Sequence, residues 1–152
     1  MESLLVGNLT TVTGANPAAG AEVADTVPTT QRWLLRAIEV VLVTSGDAGN
    51  RNVAFFVDDA GATVTRYLML TDTTNQTATQ TRTHHWSPGI DANSAASVSI
   101  ADTVTVLAKF PMALMLGVLL NPGANLRTVT TGIFAADDYG AARYVVERLI
   151  AP

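Results

Sequence analysis

The chain has no cysteine in its 152 residues. That excludes a disulfide framework, a thiolate nucleophile, Cys-based zinc binding and thiol redox chemistry, and no oxidising compartment is needed for folding. Charge is also scarce: charged residues make up 14%, against roughly 25% in an ordinary soluble domain. Of nine basic residues, Lys109 is the lysine and the others are arginines, which suit fixed bidentate or stacked contacts. A formal net charge of -4 and so few cations oppose binding to a phosphate backbone, so no nucleic-acid partner is expected. With 48% hydrophobic residues, polar coverage must come from Thr, Ser, Asn and Gln, or apolar surface must be buried against partner chains. We expect both.

The catalytic motifs are missing as well. The sequence contains no GxSxG elbow and neither the GxxxxGK[ST] nor the GxGxxG phosphate loop. Its two histidines, His84 and His85, are adjacent, and neighbours on a strand point to opposite faces, so they cannot share one metal there. The pairs Asp58–Asp59 and Asp137–Asp138 are each followed closely by glycine and read as turn carboxylates that bond local backbone N–H groups. Glu39 and Glu147 fall inside strand patterns, where pairing with Arg36, Arg143 or Arg148 is the economical reading. We therefore assign no catalytic residue, metal or cofactor. The sequons at Asn8 and Asn75 match glycosylation by pattern only. No membrane partner is expected: Glu2 stands where a signal peptide would carry a cation, and the apolar run Pro111–Leu120 is about half a membrane span. It reads as a buried strand.

What the sequence does hold is β patterning. From Gln31, "QRWLLRAIEVVLVTS" is apolar on both parities, as in a long central strand covered on both faces. "RNVAFFVDD", a tight connection at Ala60–Ala62, and "TVTRYLML" form a hairpin. "QTATQTRTHHW" places Arg82, His84 and Trp86 on one parity and Thr81, Thr83 and His85 on the other, which predicts a strand. "SPGIDANS" is a loop, and "ASVSIADTVTVLAKF" resumes the alternation with a kink near Asp102. "NPGAN" turns the chain into "LRTVTTGIF". "AARYVVERLI" fits helical spacing or a strand; the strand completes a two-sheet fold and is preferred.

Residues 1–30 differ, being rich in Ala, Gly, Pro and Thr without a sustained apolar period. They read either as a loose terminus or, preferably, as an extended arm that orders on a neighbouring subunit through Leu4, Leu5, Val6, Leu9 and Val12. The expectation is an all-β, jelly-roll-like sandwich of about eight strands over residues 31–152, with an extended N-terminal arm over 1–30. Trp33 reads as core. Trp86, beside a loop and two imidazoles, is a candidate interaction residue, as are Arg143 and Arg148 in the closing segment; an aromatic that closes the end of a sandwich is the plainer role for Trp86.

The phrase "VPTTQRWLLRAIEVVLVTS", then "GNRNVAFFVDDAG", "HHWSPGI" and the closing "ARYVVERL", resembles small virion structural proteins of tailed bacteriophages, most of all head decoration (cement) proteins. The resemblance spans Val27 onward and rests on scaffold patterns without a catalytic residue. It implies a non-enzymatic protein on the head exterior, assembled in the host cytoplasm. The implied partners are the major capsid protein and further copies of itself, commonly as a homotrimer. A tail or fibre accessory module, or a glycan-binding jelly roll using Trp86 and His84, is the alternative.

Overall fold

The computed structural model describes residues 8–59, 66–71, 75–86, 98–100, 103–107 and 118–149, and all regular structure within them is β. The strands are β1 (Asn8–Thr13), β2 (Ala24–Thr26), β3 (Arg32–Val43), β4 (Asn52–Asp58), β5 (Arg66–Thr71) and β6 (Thr81–Trp86). They continue as β7 (Val98–Ile100), β8 (Thr103–Leu107), β9 (Val118–Leu120), β10 (Asn125–Thr131), β11 (Asp138–Tyr139) and β12 (Arg143–Leu149). One sheet runs β1-β12-β3-β6-β8-β7 and the other β2-β10-β4-β5.

The pairings are nested. β1 pairs with β12, β2 with β10, β3 with β6 and β4 with β5, all antiparallel. Rolling this nested ribbon brings β12 beside β3 and β10 beside β4, and the result is a jelly roll of eight strands in two facing sheets. Four short strands are added to it. β7 and β8 pair antiparallel, with β8 parallel to β6, while β9 and β11 extend β3 at opposite ends. The kink expected near Asp102 lies outside the described residues.

The apolar character of β3 on both parities has a different cause from coverage of both faces. Val145 is opposite Ala37 and Val146 is opposite Leu35, so Arg36 is an extra residue in the ladder, a β-bulge. Trp33 and Leu35 face inward before it, and Ile38, Val40 and Leu42 face inward after it. A single bulge switches the buried parity in mid-strand.

Residues 8–30 belong to the roll. β1 and β2 are its first two strands, Val23 and Val27 are fully buried, and Val12 packs against the core. The division into an arm over 1–30 and a sandwich over 31–152 is thus corrected from Asn8 onward. The physical reason is that Asn8–Thr13 pairs along its whole length with β12, which turns Val12 inward onto the core and Leu9 outward, so the segment is an edge strand of the same chain. Glu22 ties this segment down: its carboxylate accepts hydrogen bonds from Thr130 N (2.6 Å), Thr130 Oγ1 (3.0 Å) and Thr128 Oγ1 (2.5 Å) on β10. Of the anchors expected there, Leu4, Leu5 and Val6 lie outside the described residues, as do Ala60–Ala62, the "SPGIDANS" loop and the run 111–117. The closing segment is a strand, as preferred.

Rings run through the core in sequence. Trp33 contacts Tyr144 (6.4 Å between centroids), Tyr144 contacts Phe55 (6.3 Å), Phe55 contacts Trp86 (6.0 Å) and Trp86 stacks on His84 (6.0 Å). Inclined contacts of this kind add to the area each ring removes from water.

A buried ion pair locks the β3–β4 connection to the β10–β11 connection. Arg51 and Asp137 have fully buried side chains, and Arg51 donates Nε–H to Oδ2 and Nη2–H to Oδ1 of Asp137, each at 2.9 Å. The remaining guanidinium donors reach Ser45 Oγ and the carbonyls of Asp47 and Gly49, and the Phe134 ring covers the group at 4.4 Å. All five donors of the fork are met. Burial pushes the Asp137 carboxyl up, but hydrogen bonds from Arg51 and from the N–H groups of Ser45 and Phe134 outweigh it and hold the group well below the usual carboxylate range.

Removing one partner leaves a buried, uncompensated charge. Asp137→Ala should cost roughly 3–5 kcal/mol in urea unfolding. Because the folded carboxyl titrates below the unfolded one, its contribution is fully present above about pH 4 and is lost as the pH falls further. Asp137→Asn should therefore flatten the acid side of the stability–pH curve measured by denaturant titration.

Candidate functional site

β6 carries the stretch that looked most chemical. Its burial alternates strictly: Arg82, His84 and Trp86 face inward, while Thr81, Thr83 and His85 face outward. The two imidazoles are on opposite faces, as the period-two pattern predicts. The strand begins at Thr81, later than the alternation from Gln76 suggested, because residues 77–80 form a turn with Thr79 at φ 56°. Side chains hold that turn. Thr44 Oγ1 donates to Thr77 O at 2.6 Å, and buried Gln76 donates to Leu42 O at 2.8 Å and meets His84 Nε2 at 3.2 Å.

Trp86 is fully buried. Of the two roles considered for it, candidate interaction residue and aromatic closing the end of the sandwich, its position fits the plainer second one: a core ring that stacks on His84 and packs at an angle against Phe55. An indole on the inner parity of a central strand has no route to a partner's surface.

The outward face of β1, β12, β3, β6 and β9 is organised in register rows. One row runs Thr13–Arg143–Glu39–His85, with Glu39 accepting from Arg143 Nη1 at 3.5 Å and lying 3.7 Å from His85 Nδ1. The next runs Leu9–Glu147–Leu34–Leu119, and Glu147 accepts from Arg36 at 2.9 Å. The expected pairing of both glutamates with arginines is present. These partly exposed pairs contribute little stability and act mainly to fix which groups sit side by side. Leu9 is 62% exposed and Leu119 is 51% exposed, so the row ends in two apolar side chains facing solvent.

Arg143 joins the ionic row, whereas Arg148 sits on the opposite parity, at the open end between the sheets. There a pocket of about 260 Å³ opens between β1 and β2. Trp33 and Tyr144 form its inner wall, Val12 and Pro28 its sides, and Asp25, Gln31 and Arg148 its polar rim. Asp25 Oδ2 accepts from Tyr144 OH at 2.7 Å and Oδ1 accepts from Ala15 N at 2.9 Å. Burial, together with donation to Asp25, raises the Tyr144 phenol far above its ordinary range, so it stays a donor. A Cβ at Gly14 would meet Asp25 Oδ2 at 1.9 Å, so a larger residue there would push this carboxylate out of its place. Sequence reasoning missed Asp25, which lies in a stretch without apolar period, and Gln31, the polar residue that opens the β3 segment, because the two come together only when β2 and β3 enter different sheets.

Among the described residues no group of three His, Asp or Glu side chains gathers as a metal set, and no helix is long and apolar enough to cross a membrane.

If Trp86 is a core residue, Trp86→Ala should lower stability by about 3–5 kcal/mol through lost packing and a cavity. Urea unfolding with tryptophan emission as readout checks this; a change under 1 kcal/mol would contradict the core assignment.

No family model and no curated protein matches the chain. Among solved structures, that of PfGH50B is similar at a TM-score of 0.33 and 8% identity, over 95% of this chain and 23% of that one. The chain thus spans about a quarter of that neighbour's length, and so low a score carries no argument about function.

Proposed function

We propose that this chain is a non-enzymatic virion structural protein, a decoration (cement) protein on the head exterior of a tailed bacteriophage. In this reading it binds the major capsid protein and other copies of itself as a homotrimer, having been assembled in the host cytoplasm. The observation that carries the reading is the outward face of the β1–β12–β3–β9 sheet. Leu9, Leu34 and Leu119 lie there in one register row beside the Arg36–Glu147 and Arg143–Glu39 pairs.

Such a face combines exposed apolar anchors, Leu9 and Leu119 at the two ends of the row, with arginine-based pairs beside them, as assembly surfaces do. It belongs to a chain with too little charge to solvate its whole surface. The face is carried on paired strands of the roll, which limits the reordering that binding requires, and trimerisation multiplies weak contacts at repeated sites. The mechanism is mechanical: buried area across capsid subunits opposes internal pressure. The resemblance of Val27–Ser45 and Gly49–Gly61 to decoration proteins supports the same reading. A tail or fibre accessory module would use the same face. Glycan binding through Trp86 and His84 has no support in the geometry, since both side chains are buried.

The test is native mass spectrometry combined with co-sedimentation on purified capsids and tails. The wild type should be trimeric and pellet with heads. Leu9→Asp combined with Leu119→Asp should keep the β circular dichroism signal and weaken head binding at least tenfold. Wild-type binding by the double variant refutes this face, and pelleting with tails alone moves the attachment site.

A further inference from the structure

The pocket at the open end of the roll has no part in the capsid reading. It can be argued independently from the groups that line it. The rim supplies donors and an acceptor in excess of their internal partners. Gln31 spends its Oε1 on the Trp33 indole N–H at 2.8 Å, leaving its Nε2 donors with no partner among the described residues. Arg148, exposed on β12, has no hydrogen bond or ion pair among them either. Opposite them stands Asp25, acceptor-only when ionised, each oxygen of which retains lone-pair capacity after one internal bond. Behind them lie Trp33 and Tyr144.

The lining narrows the ligand class. An anion would satisfy Arg148 but would face the Asp25 carboxylate across a small cavity. A cation would meet the reverse conflict. An apolar ligand would leave Gln31, Arg148 and Asp25 desolvated without compensation. A neutral polyhydroxylated ring fits all of them: its hydroxyls accept from Gln31 and Arg148 and donate to Asp25, and its C–H face lies against the aromatic wall. At about 260 Å³ the pocket is smaller than sites for drug-sized ligands, which run from roughly 300 Å³, so it holds one sugar ring with the rest of a chain outside.

We propose that the end pocket is a binding site for a single neutral pyranose unit, with Asp25, Gln31 and Arg148 as its polar contacts. The site does not depend on capsid attachment, and either can fail without the other. Gly14 and the Tyr144–Asp25 bond set the carboxylate in place before the ligand arrives, which limits the ordering cost of binding.

The full chain should be titrated with the methyl glycosides of glucose, galactose, mannose and N-acetylglucosamine, following the Trp33 indole N–H resonance by NMR. The Trp33 signal is identified by its loss in Trp33→Phe. At least one glycoside should shift it saturably. Arg148→Ala, a change at an exposed side chain, should weaken that binding about tenfold or more, while Arg143→Ala on the outward face should leave it unchanged. The proposal is overturned if no glycoside moves the Trp33 resonance, or if Arg148→Ala binds as well as the wild type. It is also overturned if glucuronate binds and the neutral glycosides do not, which would make this an anion site.

Discussion

One residue inserted in one strand, Arg36 in β3, is the constraint around which the sheets are arranged. Without it, Trp33 and Leu35 would share a face with Val41 and Val43, and half of the longest strand would point its apolar side chains to solvent. The bulge turns the later half so that Ile38, Val40 and Leu42 continue the same interior. A bulge also bends its strand and increases local twist. β3 can therefore border β12 and β11 on one edge and β9 and β6 on the other without any of them spanning its full length. Arg36 itself is turned outward, where its guanidinium meets Glu147.

The interior that results has two characters. Near the open end it is aromatic, with Trp33, Tyr144 and Phe55 in contact; toward β6 it becomes polar, with Gln76, His84, Arg82, Arg51 and Asp137 buried. The polar end is tightly bonded and holds connections together, and the aromatic end terminates in groups with spare bonding capacity. Rigidity and availability for recognition are placed at different ends of one core.

Most of the fold was legible in the sequence because a strand writes its orientation as a two-residue alternation. Arg82, His84 and Trp86 were assigned to one face on that basis, and residue type inside strand patterns pointed Glu39 and Glu147 to arginine partners, though not to which arginine each would meet. Two kinds of information were not local. The bulge made β3 look covered on both faces, since parity alone cannot distinguish a switch from double burial. The start of the roll was hidden because β1 and β2 are short, poor in apolar residues, and become strands through partners about a hundred residues away or more. The end pocket was invisible for the same reason: Asp25, Trp33 and Arg148 meet only after those pairings exist.

The pairing of β1 with β12 has a temporal side. During synthesis Val12 and its strand leave the ribosome well before their partner, and the ladder they join does not exist until Arg143–Leu149 has emerged. β2 must wait in the same way for β10. Non-local ladders of this kind are slow to close, and their unpaired edges stay exposed meanwhile. Any surface built on β1 and β12 together, including the row from Leu9 to Leu119, is thus absent from the nascent chain until β12 has emerged and paired. Premature association through that face is prevented by the order of the strands themselves.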